Sequence, residues 1–92
     1  MRQSKELIPK IIGRILQAER NRQTPKISQE EIAYRCNLDR SFISMVESGK
    51  HEPSVSKIFD LCNGLGIKPA VFFRRVAEEY DKLVSDQESL DE

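Results

Sequence analysis

Long apolar runs are missing from this sequence: nothing in it approaches the ~20 consecutive apolar residues that a bilayer span requires. The first residues, MRQSKELIPKIIGR, lack the unbroken apolar core and small-residue cleavage site of a secretory leader. Cysteine is scarce, with only Cys36 and Cys62. Two thiols cannot staple a scaffold and have no zinc-ligand spacing, so buried free thiols in a reducing cytoplasm are expected. The single histidine, His51, has no second ligand within metal-binding spacing. No pair of acids, Cys–His couple or glycine-rich phosphate loop sits at a useful spacing either. A catalytic function, a metal and a cofactor are therefore not expected. Net charge is absent too, with fifteen basic against fifteen acidic side chains.

That zero conceals a strong asymmetry. Over residues 1–75, Lys and Arg number fourteen against eight acids; over residues 76–92 one base faces seven acids. The chain reads as a basic body followed by an acidic end, a distribution compatible with an anionic polymer as partner. Ninety-two residues suffice for one domain.

What is present is helical periodicity, with no strand alternation and no internal repeat. Pro9, Pro25, Pro53 and Pro69 punctuate the chain at intervals suited to five helices. The spacing predicts a first helix from near Pro9, with Ile11, Ile12, Ile15 and Leu16 on its apolar stripe. Residues 21–27 read as a loop. A second helix is predicted near 29–36 and a third near 39–48. A fourth begins after Ser54 with Val55, Ile58, Leu61, Cys62 and Leu65 inward, and stops at Gly66. A fifth opens at Pro69 and runs to about Val84. Residues 85–92, SDQESLDE, read as an acidic disordered tail, leaving residues 1–84 as the domain.

The segment QEEIAYRCNLDRSFISMVESG, residues 29–49, carries the most information. Ser28 and Glu31 have the spacing of a capping box. Ala33 is small enough to let a second helix cross closely. Asn37 falls where the second helix must stop and tolerates the left-handed conformation. Asp39 caps the next helix, whose inward side holds Phe42 or Ile43, then Val46; Gly49 closes it. A small residue, a left-handed turn four positions later and apolar residues beyond it describe a helix-turn-helix, whose second helix enters a DNA major groove.

These residues, together with SQEEIA, ISMVESGKHEPS and the LGI after the fourth helix, resemble the phage-repressor-like (XRE, Cro-like) helix-turn-helix family across about residues 11–73. A narrower similarity, carried by AYRCNLDRSFIS and the Val71-Phe72-Phe73 helix in a short chain, is to controller proteins of restriction–modification systems. The loop at residues 22–26 is two residues longer than the common family pattern. The resemblance implies an all-α, five-helix, lambda-repressor-like fold and a dimeric cytoplasmic regulator bound to double-stranded operator DNA, with no small-molecule effector evident. It also implies base reading by Arg40, Ser41, Ser44 and Met45. Arg40 is the strongest of these, since a guanidinium can bond guanine O6 and N7 together; the alternative is an ion pair with Asp39 or Glu47, or a phosphate contact.

Gln29 matches the family's phosphate-binding glutamine at a helix start. Asn37, Lys50 and His51 flank the third helix as further phosphate contacts. Glu47 matches a glutamate that pairs with an arginine of the first helix, here Arg20. The fifth helix has apolar residues on too many sides for a lone surface helix, so Val71, Phe72, Phe73, Val76, Tyr80 and Leu83 are expected at a dimer interface. The competing readings are a protein-interaction adaptor or an antitoxin-like partner built on the same fold. The acidic end favours these, and Gln29, Arg40, Lys50 and the basic body oppose them.

Overall fold

A computed structural model describes residues 4–91 of the chain, with side chains to residue 86. It contains five helices: α1 (Ser4–Arg22), α2 (Gln29–Cys36), α3 (Arg40–Glu47), α4 (Val55–Leu65) and α5 (Pro69–Asp91). No strand occurs among the described residues.

α1 starts a turn earlier than the proline suggested, because Leu7 is buried and draws that turn onto the core. Pro9 sits in its second turn, so it removes one amide donor near a helix end rather than in the middle. Ile11, Ile12, Ile15, Leu16 and Leu7 form one side of the core. The same core cluster holds Ile32 and Ala33 of α2, Ile43 and Val46 of α3, and Ile58, Leu61, Cys62 and Leu65 of α4. Phe72 and Val76 of α5 complete it, together with Ile27 from the loop before α2.

Glycine decides how closely two pairs of helices approach. A Cβ on Gly13 would lie 2.4 Å from the Val46 carbonyl oxygen, so α1 lies directly against the end of α3. A Cβ on Gly64 would lie 2.6 Å from Cys36 Sγ, which sets the α2–α4 crossing. Cys36 remains a thiol and donates toward the Asp60 carbonyl at 3.3 Å. The exposed carbonyls at the end of α4 are met by side chains: Gln23 Nε2 reaches Leu65 O at 2.6 Å, and Arg35 Nη1 reaches Gly64 O at 3.1 Å. The long loop after α1 thus has a structural task.

α1 and α5 are joined by Glu19, a buried acid in the apolar stripe of α1. It accepts from Arg22 Nη2 at 2.6 Å and from Arg75 of α5. Two expectations for α5 are corrected. Its backbone stays helical to Asp91, past Val84, so residues 85–91 continue the helix rather than leaving it as a disordered tail; Glu92 lies outside the described residues. Phe72 and Val76, expected at an interface, are 2% and 7% exposed and belong to the core of the single chain.

Candidate nucleic-acid interface

Local chemistry sets the α2–α3 corner. Ser28 accepts from the Glu31 amide at 3.0 Å and starts α2. Asn37 ends it with φ 55° and ψ 46°, the left-handed turn expected there. The Leu38 amide then bonds back to Ala33 O at 2.8 Å, and the Asn37 amide to Tyr34 O at 3.2 Å. Asp39 begins α3 by accepting from the Ser41 amide and the Ser41 hydroxyl, each at 3.1 Å. These bonds hold its carboxyl below the ordinary 3.8, the backbone amide contributing most. Ser48 caps the other end, and Gly49 follows with φ 78°.

α3 is anchored by its buried side and by one acid at its last turn. Ile43 and Val46 are fully buried, while Phe42 is half-buried and meets His51 edge to face, ring centres 5.2 Å apart. Glu47 Oε2 receives Arg20 Nε at 2.7 Å, and its Oε1 receives Arg20 Nη2 at 2.8 Å. The same guanidinium donates Nη1 to Ile27 O at 2.9 Å. Arg20 therefore ties α1, the loop before α2 and α3 into one unit. The carboxylate raises the Arg20 pKa above its ordinary value, chiefly through these hydrogen bonds. Side-chain exposure is 10% for Arg20 and 4% for Glu47, so the pair is screened from water and geometrically fixed.

The opposite side of α3 is open. Arg40, Ser41, Ser44 and Met45 are all exposed, and they form a continuous polar row ending in one thioether. Helical geometry places 40, 41, 44 and 45 on neighbouring turns of a single face. Around this row lie Asn37, Lys50 and His51, all exposed. Gln29 sits at the start of α2, half-buried, and its Nε2 donates to Glu47 Oε1 at 3.0 Å. It is thus part of the Arg20–Glu47 network rather than a merely solvated helix start. The acid facing Arg40 is Glu30, at 3.3 Å from Nε, in place of Asp39 or Glu47. Asp39 is engaged by Ser41, and Glu47 by Arg20 and Gln29.

Apolar side chains are also exposed away from α3, on α2 at Tyr34 and on α4. Val55 and Phe59 of α4 are 64% and 46% exposed, so Val55 does not join the core as its spacing suggested. Phe59 lies beside half-buried Phe73 of α5, ring centres 6.2 Å apart. Val71, Tyr80 and Leu83 are also half-buried on α5. Among the described residues no group of His, Cys, Asp and Glu could hold a metal, and no helix is long and apolar enough to cross a membrane.

A capped pair of short helices about a left-handed asparagine, with a clamped second helix that presents polar side chains outward, defines a helix-turn-helix. Residues 16–72 match the helix-turn-helix family, and the chain belongs to it. The control protein C.BamHI of Bacillus amyloliquefaciens is 37% identical over 43 residues, 47% of this chain and 53% of that protein. The chain thus spans about half the length of that curated relative. Among solved structures, the restriction–modification controller C.AhdI of Aeromonas hydrophila superimposes with TM-score 0.63 at 31% identity, over 74% of this chain and 94% of that one. The controller C.Esp1396I, solved as a tetramer on its natural 35-base-pair operator, gives TM-score 0.69 at 25% identity, over 78% of this chain and 92% of that one.

Proposed function

We propose that this protein is a sequence-specific regulator that binds near-palindromic operator DNA as a twofold dimer and controls a restriction–modification operon, its own gene included. The observation that carries the reading is the exposed row Arg40, Ser41, Ser44 and Met45 on a helix clamped from behind by the Arg20–Glu47 pair. Such a helix can enter a major groove without losing its orientation. Asn37, Lys50 and His51 hold phosphates on either side, and Gln29 joins them from the first turn of α2. The named controllers, one of them seated on its operator, support the regulatory context.

The dimer forms through Phe59 of α4 and the adjacent Phe73 of α5, with Val71, Tyr80 and Leu83 contributing from other parts of α5, and residues 1–84 are the DNA-binding and dimerisation unit. Two recognition helices related by a twofold axis would then meet half-sites about 34–36 Å apart, one turn of the duplex. Control is exerted through protein concentration and the dimer equilibrium, within the nucleoid, without catalysis or a small-molecule effector.

The test is selection of bound duplexes from a random library, repeated with Arg40→Ala. A palindromic consensus, one position of which relaxes in the variant, is the expected result. Affinity should also fall steeply with salt as phosphate contacts release counterions. A protein that ignores every duplex at low ionic strength would refute the reading.

A further inference from the structure

We propose that Glu30 is a positioning residue for base recognition: its carboxylate holds Arg40 by Nε, so that Nη1 and Nη2 face the groove together as a fork. The inference rests on the DNA-binding reading above and adds a residue from outside the recognition helix to its specificity.

Arg40 is the first residue of α3 and extends from the outer edge of the corner, where nothing apolar confines it. Its one bonded partner among the described side chains is Glu30, through Nε at 3.3 Å from Oε1. A guanidinium carries five N–H donors, and a bond at Nε leaves the four on the two terminal nitrogens unused. That pair matches the spacing of guanine O6 and N7. Asp39, the other acid at the start of α3, is committed to Ser41, and Glu47 at the far end of the helix to Arg20 and Gln29. Glu30 is therefore the acid left to orient Arg40.

Folding does not explain the pair. Both side chains are exposed, 60% for Arg40 and 71% for Glu30, and an exposed ion pair contributes little to stability. A carboxylate at the edge of a DNA-facing surface also repels phosphate. Its presence there lowers affinity for every duplex alike, which is a loss unless it sharpens the choice among them. Orienting the fork does so: an unrestrained arginine can swing to a phosphate, whereas one held at Nε meets base edges with two parallel donors. The first turn of α2 favours an acid at this position as well, since it lies at the positive end of the helix.

The test uses the selected operator with its Arg40-dependent guanine replaced by 7-deazaguanine, which lacks the N7 acceptor. Wild type should lose about tenfold in affinity on that replacement, and Glu30→Ala about threefold or less. Glu30→Gln, which keeps a neutral acceptor for Nε, should fall between them. Glu30→Ala should also bind unrelated duplex more tightly than wild type. Equal sensitivity to 7-deazaguanine in wild type and Glu30→Ala overturns the proposal. If Arg40→Ala relaxes no position of the consensus, Arg40 reads no base and the proposal falls while DNA binding stands. If wild type binds no duplex, the underlying reading falls with it.

Discussion

Replacing Arg20 with Met keeps most of the side chain's length and removes only its charge and donors. The guanidinium makes two bonds to Glu47, at 2.7 and 2.8 Å, and one to the Ile27 carbonyl at 2.9 Å. Glu47 is left with Gln29 alone, while its side chain stays 4% exposed. An unpaired carboxylate in that setting costs about 3–5 kcal/mol. Counting the two lost charge-assisted bonds at about 1.5–3 kcal/mol each gives a similar range. Domains of this kind are stable by only about 5–15 kcal/mol, so the variant should lose a large share of its stability. At about 4–8 °C per kcal/mol for this size, its Tm should drop by at least about 12 °C. The informative partner is the double variant Arg20→Met with Glu47→Leu, which removes the stranded charge. It should recover at least about 2 kcal/mol relative to Arg20→Met, measured by urea unfolding followed by circular dichroism. Its operator affinity should nevertheless stay low, because α3 has lost the tie that orients it. A single variant within about 1 kcal/mol of wild type, or a cycle with no coupling, would refute the claim that this pair holds the recognition helix.

Three further outcomes follow from the same geometry. Phe59→Glu should leave the thermal stability of the monomer intact and raise the dimer dissociation constant in sedimentation. Phe72→Ala should instead cost about 3–5 kcal/mol of folding stability, and similar behaviour of the two variants would contradict the assignment of one to the surface and the other to the core. For Asp39, the folded-state pKa lies below the ordinary 3.8, so the cap's contribution is complete above that value and is lost as pH falls through the lower one. The stability gap between wild type and Asp39→Ala should be flat from about pH 7 to pH 5 and narrow below 3.8; a gap unchanged in acid would exclude the carboxylate as the capping form. Burial pushes the Cys62 thiol up to about 11 and also raises Cys36. At pH 8 only about a thousandth of Cys62 is thiolate, so a disulfide reagent should label it only after unfolding, and fast labelling of the native protein would show that the core opens there.

The corner was legible in the sequence because its rules are local. Ser28, Asn37, Asp39, Ser54 and Gly66 each satisfy backbone groups within three or four residues, so their identities announce the helix ends. Spacing alone also marked the apolar residues of α1 and α4, apart from Val55. The pairing of Arg20 with Glu47 spans 27 positions and was available only through resemblance to a family, since no local rule joins them. Glu19 with Arg75, 56 positions apart, was missed for the same reason, although an acid continuing the stripe of Ile12, Ile15 and Leu16 was a signal that it had a buried partner. Glu30 with Arg40 depends on the angle between α2 and α3, which neither residue reveals.

Composition misled where charge and helicity diverge. Residues 85–91 are acidic and polar, but a helix already nucleated through Val84 can extend by one hydrogen bond per added residue. The apolar residues of α5 likewise did not reveal which of them the chain covers for itself. Phe72 and Val76 close the chain's own core, while Val55 and Phe59 of α4 stay exposed and available to the proposed second copy. Periodicity tells how many sides of a helix want cover. Only the packing tells which side the chain covers for itself, and that division separates a monomeric fold from a surface built for a symmetric partner.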